Sequence, residues 1–195
     1  MYWFWIFMWY SFIGFIIEKL FAAACDAEHR VRKCFLLLPL CPVYGLSLIA
    51  VMHLPAELRD TPLRMMLYGG LTATAVEYAV HFFYDKVLGV MFWDYSSTKM
   101  DLNRRVCVPF SVVWGVLVWV ALRYVQPWID AMIAETSPLA TLMAVLLLIT
   151  DSFYCLSIFE GHARYTRNIV TLLLLSVLFI GLGILKTRRS RYASI

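Results

Sequence analysis

Residues 65–92 decide the class of fold, and their sequence is MMLYGGLTATAVEYAVHFFYDKVLGVMF. This run is long and apolar enough to cross a bilayer, whose hydrocarbon core of about 30 Å needs about 20 helical residues. Among the polar side chains that interrupt it are Glu77, His81 and Asp85. A charged side chain at membrane depth costs roughly 2.5 to 3.5 kcal/mol on insertion scales, so it usually faces a bundle interior or a watery cavity. The run therefore predicts both a membrane helix and a polar site.

The rest of the chain is similarly apolar. Hydrophobic residues make up 62% of the 195, and the mean hydropathy is +0.75. Six runs are long enough to span a membrane as helices, and they are joined by short links: 2–24, 35–54, 65–92, 108–128, 138–158 and 169–186. We therefore predict an all-α fold, a polytopic bundle of about six transmembrane helices that forms one integral membrane domain over residues 1–195. No remaining segment could form a soluble domain, so any ATPase has to be a separate chain.

The start of the chain, Met1-Tyr2-Trp3-Phe4-Trp5, has no basic region or cleavage site, so we expect a retained first helix. With six spans, both termini lie on one side, and ten of the 17 Lys and Arg residues fall on the side of loops one, three and five. The positive-inside rule then favours a cytoplasmic position for those loops and an outside position for the termini. The net charge of +4 comes mostly from loops and the tail and does not indicate nucleic-acid binding. The five cysteines form no CxxC pair, so neither a disulfide framework nor a zinc motif is predicted.

Glu77, His81 and Asp85 are spaced four residues apart. On an α-helix they stack along one stripe, separated by rises of about 6 Å. The stripe could be a proton or cation path, because imidazole titrates near neutrality and low polarity raises the pKa of a carboxyl group. The alternative is that the side chains hold neighbouring helices together through hydrogen bonds. The two interpretations are balanced for Glu77, and the second is favoured for His81 and Asp85.

The second apolar run contains Pro39 and the motif Cys41-Pro42-Val43-Tyr44-Gly45. Proline removes a backbone donor and glycine loosens a helix, so we predict that helix two is kinked or broken at Pro39–Pro42. Broken membrane helices often mark ion or substrate sites, and a plain packing kink is an equal alternative. Cys41 could be reactive, although a buried membrane cysteine is more often a small apolar filler.

Several charged residues fall toward the face of loops one, three and five: Glu18, Asp85, Asp94, Asp151, Arg104 and Arg105. They predict an acidic vestibule closed by an arginine turn. The alternative, favoured for Asp94 with Arg105, is an ion pair that simply ties the helices together. Gly14, one turn before Glu18, leaves room beside that carboxylate for a ligand or another helix. We therefore predict that Glu18, Glu77, Asp94 and Arg105 meet at one polar site.

Several short motifs occur along the chain in an order typical of one family. They are Tyr10-Ser11-Phe12-Ile13-Gly14 with Glu18, Cys41-Pro42-Val43-Tyr44-Gly45, Glu77-Tyr78, Trp93-Asp94-Tyr95-Ser96, Leu102-Asn103, Arg105-Val106-Cys107, Phe110-Ser111 and Trp114-Gly115. In order and spacing they resemble the CmpB-like family of small bacterial multi-pass membrane proteins, which are named as ABC-transporter permeases. The resemblance covers roughly residues 8–125, and Asp151 is similar to a recurrent acidic position. It implies a transport component of the cell membrane that assembles as a homodimer or with a separate ATPase subunit.

Three positions depart from the pattern of that family. Arg104 stands where the family's Asn-Gly-Arg turn has glycine, which puts a tight left-handed turn at this point in doubt. His81 stands where a small residue is usual, and Asp85 replaces a longer glutamate.

Different function classes fit these features. The first is a permease subunit for a small solute or ion. The second is an intramembrane enzyme that acts on a lipid or small amphipathic substrate, with Glu77, His81 and Asp94 as acid and base groups, and a non-catalytic membrane scaffold is a third. The chain has no HExxH, GxSxG or GxxxxGK[ST] motif, so zinc proteolysis, serine-hydrolase chemistry and ATP binding are not indicated. Transport is favoured because no nucleophile or metal set converges in the sequence and because the resemblance implies it. No metal or cofactor is predicted, and the candidate substrate or ion site residues are Glu18, Cys41, Pro42, Tyr44, Glu77, His81, Asp85, Trp93, Asp94, Tyr95, Asn103, Arg105 and Asp151.

Overall fold

The computed structural model describes residues 1–24, 37–98 and 100–159, apart from the side chains of residues 158 and 159. It is mostly helical, as predicted, with α1 (Tyr2–Ala24), α2 (Pro42–Met52), α3 (Pro62–Phe83), α4 (Val108–Val120), α5 (Gln126–Ala134) and α6 (Pro138–Phe159). A 3-10 turn, Ala56–Leu58, precedes α3, and π-helical turns follow α3 at Tyr84–Leu88 and join α4 to α5 at Ala121–Val125. An antiparallel hairpin of β1 (Asp101–Leu102) and β2 (Val106–Cys107) leads into α4.

Within the described residues, three helical stretches are long and apolar enough to cross a membrane: Tyr2–Ala24, Val108–Ala134 and Pro138–Ser157. They correspond to the first, fourth and fifth predicted runs. The predicted count of six is not confirmed. α2 has only 11 residues, and α3 has 22 but carries the polar side chains of Arg64, Glu77 and His81. The last predicted run, 169–186, lies outside the described residues.

The second predicted span, 35–54, is helical over a shorter range. α2 begins at Pro42, and Cys41 before it is extended, with φ −111° and ψ 92°. Proline suits the first turn of a helix, because that turn uses no intrahelical donor and the ring fixes a helical φ. Pro42 therefore starts the helix, and Pro39 lies in the non-helical chain before it. The predicted kink within helix two is not confirmed.

The chain divides into two compact units. The first contains α1 and Pro39–Glu135, and the second contains Leu37, Leu38 and α6. The first unit thus carries the hairpin and both π-helical turns.

Glycines bring α1 and α2 of the first unit close together. A Cβ on Gly14 would collide with the Tyr44 ring, and a Cβ on Gly45 would lie 2.6 Å from the carbonyl oxygen of Phe7. Lipid tails are as apolar as large side chains, so membrane helices associate through close packing instead of the hydrophobic effect. Small residues allow the two backbones to approach closely. The close approach places the α2 aromatic residue Tyr44 directly against α1.

The same device fixes α3 against α4. A Cβ on Gly70 would lie 2.9 Å from the Cα of Gly115, and a Cβ on Gly115 would lie 2.6 Å from the carbonyl oxygen of Met66. The N-terminus of α3 is set by Pro62 in its first turn and by Thr61, whose hydroxyl accepts from the amide of Arg64 at 3.3 Å. The glycine contacts determine which face of α3 meets α4, and Pro62 and Thr61 determine where α3 begins.

The π-helical turn Ala121–Val125 lies just before Pro127. Pro127 has no amide hydrogen for the carbonyl of Arg123, and in a regular α-helix its ring would clash with that carbonyl. A wider turn avoids the clash, and the amide of Gln126 bonds to the carbonyl oxygen of Ala121 instead. α4, this turn and α5 therefore form one continuous helical stretch.

Candidate functional site

Glu77, His81 and Asp85 lie along one face of α3 and of the π-helical turn that follows it. Glu77 is fully buried, His81 is 2% exposed, and the Asp85 side chain is 25% exposed. All three contact the same segment, residues 93–98 and 100–105, which we call the strap. The predicted stripe is therefore present, and the strap covers it.

Glu77 accepts hydrogen bonds from two different elements. The hydroxyl of Tyr95 in the strap donates to Oε1 at 2.9 Å, and Nε1 of Trp114 in α4 donates to Oε2 at 2.8 Å. Both donors are buried. Hydrogen bonds to a charged acceptor are worth about 1.5–3 kcal/mol each, so the Glu77 carboxylate ties α3 to α4 and to the strap.

His81 and Asp85 fasten the rest of the strap to α3. Nε2 of His81 lies 2.9 Å from the carbonyl oxygen of Trp93, and the two rings meet edge to face with centroids 5.0 Å apart. Oδ2 of Asp85 accepts from Nη2 of Arg105 at 2.6 Å, and Nζ of Lys86 lies 3.4 Å from the same oxygen. The hydrogen bond from Arg105 holds the pKa of Asp85 below its usual range. Both side chains thus make the tertiary contacts expected of residues that join two elements.

Arg105 is enclosed by aromatic rings. Its guanidinium carbon lies 5.3 Å from the ring centroids of both Tyr78 and Phe82. Its carbonyl oxygen accepts from Nε1 of Trp93 at 2.9 Å. Nδ2 of Asn103 also donates to the Tyr78 hydroxyl at 2.9 Å, so the end of the strap is held by side chains of α3.

Asp94 is exposed on the strap. Its Oδ1 accepts from the backbone amide of Ser96 at 2.7 Å, a bond that holds the pKa of Asp94 below its usual range. Arg105 pairs with Asp85 instead of the predicted Asp94. The reason is that the π-helical turn presents Asp85 to the hairpin, while the Asp94 carboxylate closes a turn within the strap.

The hairpin turn of the strap has a left-handed backbone at two residues other than glycine. Asn103 has φ 52° and Arg104 has φ 63°, and the amide of Arg105 donates to the carbonyl oxygen of Leu102 at 3.0 Å. The tight left-handed turn that Arg104 put in doubt is therefore present. Oδ2 of Asp101 accepts from the Arg104 amide at 2.8 Å, and left-handed turns match the twist of hairpin strands, so the hairpin outweighs the preference of one residue.

Glu18 on α1 is joined to Glu77 through two aromatic side chains. The hydroxyl of Tyr44 donates to Oε1 of Glu18 at 2.9 Å, and the Tyr44 ring lies 4.7 Å, centroid to centroid, from the Trp114 ring that binds Glu77. Glu18 is 8% exposed. The room predicted beside Gly14 is taken by Tyr44 of the neighbouring helix α2.

Cys41 and Pro42 set the position of Tyr44. The buried Cys41 donates its backbone amide to the carbonyl oxygen of Ser11 on α1 at 2.8 Å. Pro42 then starts α2, so Tyr44 lies in the first turn of that helix. Of the residues predicted to meet at one site, Glu18 and Glu77 are linked through this aromatic pair. Asp94 instead binds Ser96 within the strap, and Arg105 pairs with Asp85 of the π-helical turn.

Asp151 belongs to the second unit, where it lies on α6. Its two carboxylate oxygens accept from the backbone amides of Leu37 and Leu38 at 3.2 and 3.1 Å. The Cys155 thiol lies 4.0 Å from Oδ1. Within its own unit, Asp151 therefore binds the backbone of a non-helical segment.

A second polar network, which was not predicted from the sequence, joins α1 to α5. The Tyr10 hydroxyl donates to Oε1 of Gln126 at 2.8 Å, and Nε2 of Gln126 donates to Oδ1 of Asp130 at 2.7 Å and to the Tyr2 hydroxyl at 3.2 Å. Tyr10 and Gln126 are both buried. The available signal was the pair Gln126 and Asp130, four residues apart at the end of an apolar run and on either side of Pro127.

The two buried carboxylates, Glu18 and Glu77, each accept a hydrogen bond from a tyrosine hydroxyl. Side chains of this kind can bind a cation or exchange a proton at membrane depth. Over the described ranges, no group of three or more His, Cys, Asp and Glu residues could hold a metal ion.

Comparison with known families places these features in context. The sequence model of the CmpB family, described as "Putative ABC-transporter type IV", matches residues 5–158. The chain belongs to the CmpB family. The matched range includes Glu18, Glu77 and the whole strap, so the resemblance read from the motifs is confirmed. The family name suggests an ABC-transporter component, and the three membrane-length helices agree with a membrane protein. No curated protein and no solved structure matches the chain.

Proposed function

We propose that this protein is the permease subunit of a bacterial ABC-type transporter in the cell membrane and that it moves a small solute or ion. Glu77 carries the proposal: it is fully buried in a protein with membrane-length helices. Carboxylates at membrane depth are retained mainly where they bind a substrate, an ion or a proton. Membership of the CmpB family supports the transport class, and the ATPase is a separate chain in this proposal.

The proposed pathway follows the two buried carboxylates. Glu18 and Glu77 are its binding positions, and the Tyr44 and Trp114 rings, whose centroids are 4.7 Å apart, are packed between them. Tyr95 closes it at Glu77, where its hydroxyl donates to the carboxylate at 2.9 Å. The remaining candidates act by position: Cys41 and Pro42 place Tyr44, and the strap is formed or fastened by His81, Asp85, Trp93, Asp94, Asn103 and Arg105. In the second unit, Asp151 likewise acts by position, because it binds the backbone amides of Leu37 and Leu38.

The proposed architecture is one multi-pass domain. α3 serves as a further span, because its polar side chains Glu77 and His81 are covered by α4 and the strap. The subunit assembles as a homodimer or directly with the ATPase, since many membrane pathways lie between repeated helical units.

The test is purification of the tagged chain from its native membrane, followed by ATP hydrolysis measurements in lipid nanodiscs. We expect a vanadate-sensitive ATPase to copurify. Its ATP turnover falls about tenfold or more in the Glu77→Gln complex, equivalent to about 1.4 kcal/mol or more. Glu57→Gln is the matched control, because Glu57 is an exposed carboxylate in the 3-10 turn before α3. Failure of any ATPase to copurify, or full turnover with Glu77→Gln, contradicts the proposal.

A further inference from the structure

The Glu77 carboxylate is closed off in this structure. Glu77 is fully buried, and the two side chains that donate to it, Tyr95 and Trp114, are only 7% and 4% exposed. A group that takes up and releases a substrate has to become accessible at some stage of the cycle. The proposed function assigns a substrate to Glu77, so one of the two covering side chains has to move.

Trp114 is the fixed cover of Glu77, and Tyr95 is the movable one. Trp114 lies within α4, which packs so closely on α3 that a Cβ on Gly115 would lie 2.6 Å from a backbone oxygen. Tyr95 lies in the strap, outside any helix or strand. Gly89 ends the π-helical turn before the strap with φ 65°, and a Cβ there would meet nothing within 4 Å. Because the backbone at Gly89 has room to turn, it has the properties of a hinge.

A short chain of contacts connects Tyr95 to the end of α3. Nη2 of Arg105 donates to Oδ2 of Asp85 in the π-helical turn at 2.6 Å. The carbonyl oxygen of Arg104, the preceding residue, accepts from the Tyr95 amide at 2.9 Å. The contact between Asp85 and Arg105 is therefore linked through one backbone hydrogen bond to the residue that covers Glu77.

The ion pair of Asp85 with Arg105 is the part of this chain of contacts that water reaches. Its side chains are 25% and 12% exposed, whereas Glu77 is fully buried under Tyr95. Water and salt compete with a partly exposed ion pair, so it opens more easily than the buried bonds. We propose that the strap is a gate over Glu77 and that the ion pair of Asp85 with Arg105 is its latch. This role rests on the proposed function, because a gate is needed only where Glu77 binds a substrate.

The open gate offers one acceptor position to a substrate. When the latch releases the strap, the Tyr95 hydroxyl leaves Oε1 of Glu77, while Nε1 of Trp114 stays on Oε2. A substrate that donates a hydrogen bond or carries positive charge takes the place at Oε1. The carboxylate thus keeps a donor throughout, which avoids the cost of an unpaired buried charge. Asp85 is a positioning residue in this scheme, because it acts on Glu77 through Arg105 and Tyr95.

The test is the reaction of Glu77 with dicyclohexylcarbodiimide, which converts an accessible carboxyl group to a stable N-acylurea. The full chain is labelled in phosphatidylcholine nanodiscs at one pH, and mass spectrometry of peptides gives separate rates for Glu77 and Glu18. In Asp85→Asn, which keeps the shape of the side chain and removes its charge, labelling of Glu77 rises about tenfold and labelling of Glu18 does not change. Equal Glu77 rates in the wild type and Asp85→Asn overturn the gate. An equal rise at both carboxylates indicates general unfolding and also overturns it.

Two control variants separate the latch from a general loss of charge. Asp60→Asn is the matched control, because Asp60 forms an ion pair with Arg64 at 2.8 Å at the other end of α3, and it leaves the labelling of Glu77 unchanged. Asp85→Glu keeps the negative charge, and Glu77 stays slow to react. A rise with Asp60→Asn as large as that with Asp85→Asn contradicts the latch.

A double variant tests whether Asp85 acts through Tyr95. Tyr95→Ala removes the cover itself, so Glu77 reacts rapidly even with the latch intact. Adding Asp85→Asn to Tyr95→Ala then raises the rate by less than about twofold, because two residues on one chain of contacts are not additive. A full tenfold effect of Asp85→Asn in the Tyr95→Ala protein shows that Asp85 acts elsewhere and overturns the latch.

The gate and the permease function can fail separately, because labelling is measured without an ATPase. Selective labelling of Glu77 in Asp85→Asn, in a protein that copurifies with no ATPase, supports the gate and contradicts the permease function. A copurifying ATPase, together with equal Glu77 labelling of the wild type and Asp85→Asn, has the opposite meaning.

Discussion

Replacing Glu77 by glutamine and by alanine separates its charge from its hydrogen bonds. The Nε1 group of Trp114 can only donate, so the glutamine carbonyl oxygen takes its bond. The glutamine NH2 group then faces Tyr95, whose hydroxyl can turn and accept. Alanine has neither group, and it leaves both the indole and the hydroxyl buried without this acceptor.

The magnitudes follow from these bonds. In Glu77→Gln, two charge-assisted hydrogen bonds become neutral ones, which weakens each by about 1 kcal/mol. Burying a neutral amide in place of a charge offsets part of the loss, so the free energy of unfolding falls by about 1 kcal/mol. In Glu77→Ala, the Trp114 indole and the Tyr95 hydroxyl both lose this acceptor, at about 1–3 kcal/mol each, a total of about 2 to 6 kcal/mol.

Both variants are compared with the wild type in one lipid composition, by unfolding measurements and by ATP turnover of the purified complex. We expect Glu77→Gln to fold nearly as well as the wild type and to lose activity, and Glu77→Ala to lose both. Wild-type stability in Glu77→Ala would refute the contacts with Tyr95 and Trp114 as a source of stability. Wild-type turnover in Glu77→Gln would end the ion-site interpretation and leave Glu77 as a structural residue.

Variants at three further positions and a labelling experiment test other parts of the structure. Arg104→Gly should raise the free energy of unfolding by about 1 kcal/mol, because glycine adopts a left-handed backbone without strain, whereas Arg104→Ala should not; equal unfolding midpoints for the two variants contradict this. The pKa of Asp85 is lower in the folded protein than its unfolded value of about 3.9, so the ionised carboxylate stabilises the fold above that pH. This stability is lost as the pH falls through the folded-state pKa. The difference in Tm between wild type and Asp85→Asn should therefore shrink below about pH 4. Gly115→Leu should lower Tm markedly, because a Cβ there lies 2.6 Å from the carbonyl oxygen of Met66; an unchanged Tm refutes the close packing of α3 on α4. Cysteines introduced at residues 3 and 190 should be labelled from the same side of the membrane, and labelling from opposite sides excludes six spans.

The sequence alone predicted the features that depend only on local properties of the chain. Length and apolar composition predicted the first, fourth and fifth spans, and helical spacing placed Glu77, His81 and Asp85 on one face. The partners of these side chains depend on how the strap folds back, which no spacing rule contains. The pairing of Arg105 with Asp85 is an example.

Backbone positions were harder to predict, because one residue type can serve two purposes. Pro42 has the same chemistry inside a helix, where it makes a kink, and at the first position, where it starts one. Arg104 disfavours a left-handed backbone when considered alone, yet the hairpin imposes it. The network around Gln126 could not be predicted, because it depends on the π-helical turn that brings Gln126 against Tyr10.

The π-helical turn before Pro127 changes the angular phase of the span that contains it. One additional residue in a turn rotates everything after it by about 100° relative to a regular α-helix. Before the turn, Trp114 and Val118 pack in a cluster with Ala73 of α3, and after it, Ile129 packs in another cluster with Tyr10 of α1. A single span therefore has two partner helices on different sides. A deletion of one residue between 121 and 125 would turn one half of the span toward lipid while the other half kept its neighbours, so the Glu77 contacts and the Gln126 network can be altered independently.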